Sequence, residues 1–172
     1  MGRLFYWLIL APVLAFGNPT SSASPEEIEA WMDQYLGSWR GEVRIRGGDG
    51  KELKRIPTAA EYWRSGRKLR ALTAFELEDG MTFVESVSYI RNKLLFSEVT
   101  QNGKEVLYRG YLRDDSLLWV PYDAKLVTER RMKEWFTEEE GRRQLHIRGI
   151  ELLRSGDKKA KVYLNAVLEK DN

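Results

Sequence analysis

Leu36-Gly37-Ser38-Trp39-Arg40-Gly41-Glu42-Val43 is where the chain changes its period. Before this stretch, Ile28, Trp31, Met32, Tyr35 and Leu36 recur at three- and four-residue spacing, which gathers them on one face of a helix. After it, Trp39, Gly41, Val43 and Ile45 alternate with Ser38, Arg40, Glu42 and Arg44, the two-residue period of a strand with one apolar and one wet side. The alternation then continues to the C-terminus, broken at short intervals by turn residues. One short helix followed by an all-β body is the reading this switch imposes.

The helix has a physical start. Ser24 can cap the free amides, Pro25 suits the first turn, and Glu27 completes a capping box. Gly37 supplies the expected stop, so the helix is read over residues 24–37. Its apolar face needs a partner, and the open end of the β-body is the candidate.

The turn signals beyond it are Gly47-Gly48-Asp49-Gly50, Ser65-Gly66, Asp79-Gly80, Arg91-Asn92, Asn102-Gly103, Asp114-Asp115, Pro121-Tyr122-Asp123, Glu140-Gly141 and Ser155-Gly156-Asp157. Asn102-Gly103 and Asp79-Gly80 favour the left-handed conformations of tight hairpins. The segments between signals make about ten strands, each joined to the next by a hairpin. Leu69, Ala71, Thr73, Phe75 and Leu77 share one face of the third, and Val162, Leu164, Ala166 and Leu168 one face of the last. A long one-sided meander with no helices to cover it must fold onto itself, and closure also removes exposed edges. The expected fold is therefore an antiparallel up-and-down barrel over residues 38–172, with the helix closing one end. An outer-membrane barrel would need a lipid-facing apolar band, whereas these wet faces carry Arg, Lys and Glu at mid-strand.

Met1-Gly2-Arg3 followed by the apolar run Leu4 to Phe16 reads as a secretory signal over residues 1–23, cleaved after Ala23 or after Gly17. The run is shorter than the roughly 20 residues a membrane span asks for, so no stable anchor is expected after cleavage. The expected location is periplasmic or extracellular. The sequence has no cysteine, so stability must come from packing without disulfides. Removing residues 1–23 takes away only Arg3, leaving 28 − 1 = 27 basic residues against 26 acidic ones. Nucleic-acid partners, which ask for a concentrated basic surplus, lose support from that balance.

The helix before a first strand, Gly37-Ser38-Trp39 at its start and the cysteine-free meander together resemble the calycin superfamily: lipocalins, fatty-acid-binding proteins and lipocalin-like bacterial domains. Gly37 to Gly41 and the turn from Phe75 to Gly80 are similar to segments of exported DUF1579-like proteins. The resemblance implies a ligand-holding barrel whose floor is plugged by Trp39. It also implies a basic residue from the last strand against that Trp, for which Lys161 is the candidate. In the heme-binding nitrobindin branch a late-strand histidine is the ligand, which would fall to His146.

The chemistry is sparse. One histidine and no cysteine leave no zinc constellation, and there is no nucleophile elbow, phosphate loop or dinucleotide fingerprint. No catalytic residues are assigned and no enzyme is expected; no metal site and no cofactor is expected beyond the option of heme on His146. Arg130 lies on a face with Leu126, Thr128, Met132 and Phe136, from which its fork could receive a carboxylate or pair with Glu85 or Glu61. The ligand-binding candidates are Trp39, Tyr62, Phe75, Tyr108, Trp119, Arg130 and His146; Trp63, Phe83, Tyr89 and Phe136 are further aromatics able to line a cavity. The expected function is to bind or carry a small, mostly hydrophobic molecule. The alternative is a filled barrel serving as a protein-interaction module of the cell envelope.

Overall fold

The computed structural model describes residues 23–155 and 158–171. The leader read over residues 1–23 therefore lies, up to residue 22, outside the described residues, as does part of the turn at Ser155-Gly156-Asp157. Among the described residues no helix is long and apolar enough to cross a membrane.

Helix α1 spans Pro25–Asp33, and its capping box forms as expected: the Glu27 amide donates to Ser24 Oγ at 3.2 Å, and the Ser24 amide to a Glu27 carboxylate oxygen at 2.6 Å. The helix is shorter than residues 24–37. After Asp33 the amides of Gln34, Tyr35 and Leu36 bond carbonyls three residues back, a tighter winding that ends the α-pattern. Gly37, at φ +109°, opens the first strand instead of closing the helix.

Ten strands follow: β1 (Gly37–Arg46), β2 (Glu52–Ser65), β3 (Lys68–Leu77), β4 (Gly80–Arg91), β5 (Leu94–Gln101), β6 (Lys104–Arg113), β7 (Ser116–Pro121), β8 (Arg130–Glu139), β9 (Arg142–Ser155) and β10 (Lys158–Lys170). Each pairs antiparallel with its sequence neighbours, and β1 pairs with β10 to close the barrel. Asn92, Asn102, Asp114 and Glu140 adopt positive φ in the tight turns, where their type or a following glycine lowers the strain. The connection from β7 to β8 is longer than the pattern suggests. Leu126 and Thr128 fall within it rather than on a strand face, because Leu126 bonds back to Asp123 and Glu129 to Leu126 in successive turns.

The closed end carries the packed core. Trp39 is fully buried, with Ile28, Met32, Leu117, Leu145 and Leu168 similarly enclosed. Phe136 gathers the aromatics, with ring centroids 5.4 Å from Trp31, 4.9 Å from Tyr35 and 5.8 Å from Trp39. Arg64 and Arg67 on the β2–β3 hairpin reach α1 through Asp33 at 2.6 Å and Glu29 at 2.7 Å. The basic residue beside Trp39 is Lys170, its Nζ 5.7 Å from the ring, and not Lys161, which lies over Tyr163. Register explains the correction: Lys170 is the β10 residue opposite Trp39. Gly41 keeps this seam tight, since a Cβ there would stand 2.0 Å from the Val167 carbonyl oxygen.

Candidate functional site

The helix blocks one end of the barrel, and the interior opens toward the β1–β2, β3–β4 and β5–β6 turns. Two chambers lie along the axis. The inner one, above the aromatic floor, measures about 140 Å³ and is bounded by Tyr35, Tyr62, Tyr108, Trp119, Glu134 and Ser88, among others. The outer one measures about 510 Å³ and reaches the rim past Ile45, Ile56, Phe75, Leu77 and Arg130. Val84, Val99, Tyr108 and Met132 border both, so the chambers adjoin. Met132 also borders a groove on the outer wall, as do Arg131, Ile150 and Leu164 of the outer chamber.

Trp119 reaches the inner chamber because of a missing side chain. A Cβ on Gly110, its cross-strand partner on β6, would stand 2.8 Å from the Trp119 ring and 2.7 Å from Leu95. Glycine leaves that space to the indole, whose Nε1 donates to Glu134 Oε2 at 2.9 Å.

Glu134 is the most unusual residue of the interior. On β8 it shares the inward face with Met132 and Phe136, and it is 9% exposed. The Tyr35 hydroxyl donates a hydrogen bond to the same Oε2. Behind Tyr35, the Trp31 indole donates to the Tyr35 hydroxyl at 3.4 Å and the Trp39 indole donates to the Tyr35 carbonyl. Burial pushes the Glu134 carboxyl above its ordinary range, and the Tyr35 and Trp119 bonds offset only part of that rise. Tyr35 is pushed up by burial and then by the neighbouring carboxylate, and Tyr62 is raised by the same two causes. Among the described residues no Lys or Arg borders the inner chamber, so the carboxyl has hydrogen bonds but no counter-charge there.

The candidates read from the sequence divide by location. Tyr62, Tyr108 and Trp119 border the inner chamber, Tyr108 also the outer, and Phe75 and Arg130 the outer. Trp39 lies beneath the floor, packed against Phe136, and borders neither chamber. Arg130 is ion-paired with Glu151 at 3.1 Å, not with Glu85 or Glu61, which face outward and are exposed. The Tyr108 hydroxyl also meets Arg130, which holds back part of the rise that burial imposes on that phenol. His146 is on the outer wall: its ring stacks on Trp135 with centroids 5.0 Å apart and planes 8° apart, and its Nε2 is 2.8 Å from Thr137 Oγ1. On β9 the fully buried Leu145 takes the inward register, so its neighbour His146 must face out and offers no ligand to a heme in the lumen. Trp63 and Phe83 also point outward and are exposed, and Tyr89 bonds Glu98 on the outside.

Glu134 is the residue that sequence reasoning missed. Its signal was a carboxylate between Met132 and Phe136 on the strand face read as inward. Among the described residues no group of three or more His, Cys, Asp or Glu side chains is placed to hold a metal ion.

No protein-family model matches the chain, and no curated protein matches it. Among solved structures the fold is similar to a protein of unknown function from the DUF3598 family of Nostoc punctiforme, with TM-score 0.54 and 17% identity over 81% of this chain. The chain spans about half that protein's length, 49%. At this identity the likeness concerns the fold alone.

Proposed function

We propose that the barrel takes up and carries a small, mostly hydrophobic molecule in its lumen, in the manner of a calycin or lipocalin-like carrier exported from the cytoplasm. The observation that carries this reading is the pair of adjoining chambers, about 140 Å³ and 510 Å³, open at one end and sealed at the other. Such a space, walled mainly by apolar and aromatic side chains with a few polar groups, is the usual form of a small-molecule site.

The test is saturable binding of a neutral hydrophobic dye such as Nile red, followed by fluorescence. Val99 borders both chambers, and V99W fills their junction. The variant is expected to keep the circular dichroism of the parent and lose at least about tenfold in dye affinity, a shift of roughly 1.4 kcal/mol. Equal dye binding by V99W would place the dye elsewhere and remove the reading. Export has its own test: protein recovered from the cell envelope should have the mass of a chain lacking residues 1–23 or 1–17.

One observation favours the interaction-module reading. Leu72, Met81 and Phe83 lie together on the outer face of β3 and β4 and are 37%, 53% and 52% exposed. A partner seated there would protect Phe83 without occupying the lumen.

A further inference from the structure

We infer that the inner chamber selects a ligand by its positively charged amine, held by Glu134 among the rings of Tyr35, Tyr62, Tyr108 and Trp119, with the apolar remainder of the molecule in the outer chamber. This rests on the carrier reading and names the class of molecule carried.

Charge decides between ligand classes. Among the described residues the inner chamber is bordered by one carboxyl group and by no cation. A ligand carboxylate there would find no cation to neutralise it, and an ionised Glu134 would repel it. Of the two chambers, the cations Lys104, Arg130 and Arg131 border only the outer, and Arg130, which meets Tyr108, is engaged by Glu151 at 3.1 Å. An ammonium instead supplies the counter-charge that Glu134 lacks. The energetic gain is larger than at a surface because both groups are out of water.

Geometry agrees. Both donors from the protein, Tyr35 and Trp119, converge on Oε2. The other carboxylate oxygen is the one left for a ligand N–H. The four rings that border the chamber are of the kind that attract a cation wherever a face is presented to it. The chamber, at about 140 Å³, is close in size to a cavity of about 150 Å³ that holds one benzene. It admits an amine with a few carbons, and Ile45, Ile56, Phe75 and Leu77 border the space beyond.

The proton balance is definite. An alkylamine enters with its proton, and a protonated Glu134 must release its own to the solvent as the ion pair forms. The other titratable groups bordering the chamber are Tyr35, which follows α1, Tyr62 of β2 and Tyr108 of β6, all raised from a phenol's already high value. None of them exchanges a proton near neutral pH. Amine binding is therefore expected to release up to one proton and to tighten as pH rises through the Glu134 range.

Three compounds of one skeleton test this by calorimetry on the purified protein: phenylbutylamine, phenylbutanol and phenylbutyrate. The amine is expected to bind about tenfold or more tighter than the alcohol, with the butyrate weakest. Across a pH series the amine's binding heat should depend on the ionisation enthalpy of the buffer more at the acidic end than at the alkaline end. E134Q should cost the amine about tenfold and leave the alcohol within a factor of about three. Equal affinities, or a preference for the butyrate, overturn the inference while leaving the carrier reading in place, because a molecule is still bound. Failure of all three to bind, together with no difference between the parent and V99W toward Nile red, overturns both. The comparison among compounds needs only the parent protein, so it holds even if E134Q folds poorly.

Discussion

Glu134 sets a balance that can be read from its titration. Its folded carboxyl titrates above the ordinary value of 4.5, chiefly because burial opposes the charge. The folded state therefore holds this proton more tightly than the unfolded chain. The stability it contributes is complete below the unfolded value and is lost as pH rises through the raised folded value. E134Q keeps an oxygen able to accept from both Tyr35 and Trp119 and has no charge to desolvate. The melting temperature of E134Q minus that of the parent is thus expected to grow as pH rises from the ordinary value of 4.5 through the raised range, measured by calorimetry; a constant difference would show that Glu134 titrates normally. Gly110 makes the complementary case on β6. G110V should crowd Leu95 and Trp119, lower stability by about 1–3 kcal/mol and shift the tryptophan emission. A shift confined to stability would mean that the indole keeps its place.

At the scale of elements, the helix matters less for its own stability than for what it covers. Removing the cap with S24A should cost about 1 kcal/mol. W31A, which empties a place beside Phe136, should cost about 3–5 kcal/mol in chemical denaturation. A reversal of that order would mean that α1 does not plug the barrel. The helix start and most hairpins were legible in the sequence because local chemistry decides them: Ser24 with Glu27, and Asn or Asp beside glycine at positive φ. The inward residues of β1, β3 and β10 were legible for a similar reason, since alternation is a local signal. The site was only partly so. Tyr62, Tyr108 and Trp119 could be chosen as aromatics on strands, whereas His146, a lumen candidate, faces out, and Glu134 sits on the β8 face already read as inward but was passed over there. Both faces of β9 mix apolar and charged residues, so its inward side is settled by the register of the closed ring, which is not local information. The pairing of Lys170 with Trp39 also needed the closed ring, because residues 131 positions apart meet only there.

At the scale of the molecule, closure between the first and last strands is the long-range event on which the rest depends. A chain ending after Ser155 would leave β1 and β9 as free edges, and it is expected to be aggregated where the full chain is monodisperse by light scattering. Refolding of the full chain should fall in the slow range typical of such nonlocal pairings, milliseconds to seconds by stopped-flow fluorescence. The circle is not uniform, however. β7 and β8 share three paired positions, Leu117 with Glu134, Leu118 with Lys133 and Trp119 with Met132, whereas β1 and β10 share eight. Fewer rungs mean a lower cost of parting, and this short ladder flanks Glu134 itself, beside Met132, which borders both the inner chamber and the groove outside. Parting of this seam would admit water beside the Glu134 carboxyl and leave the floor undisturbed. Deuterium uptake along β7 should outpace that along β10, and a bound guest bracing Trp119 should slow it.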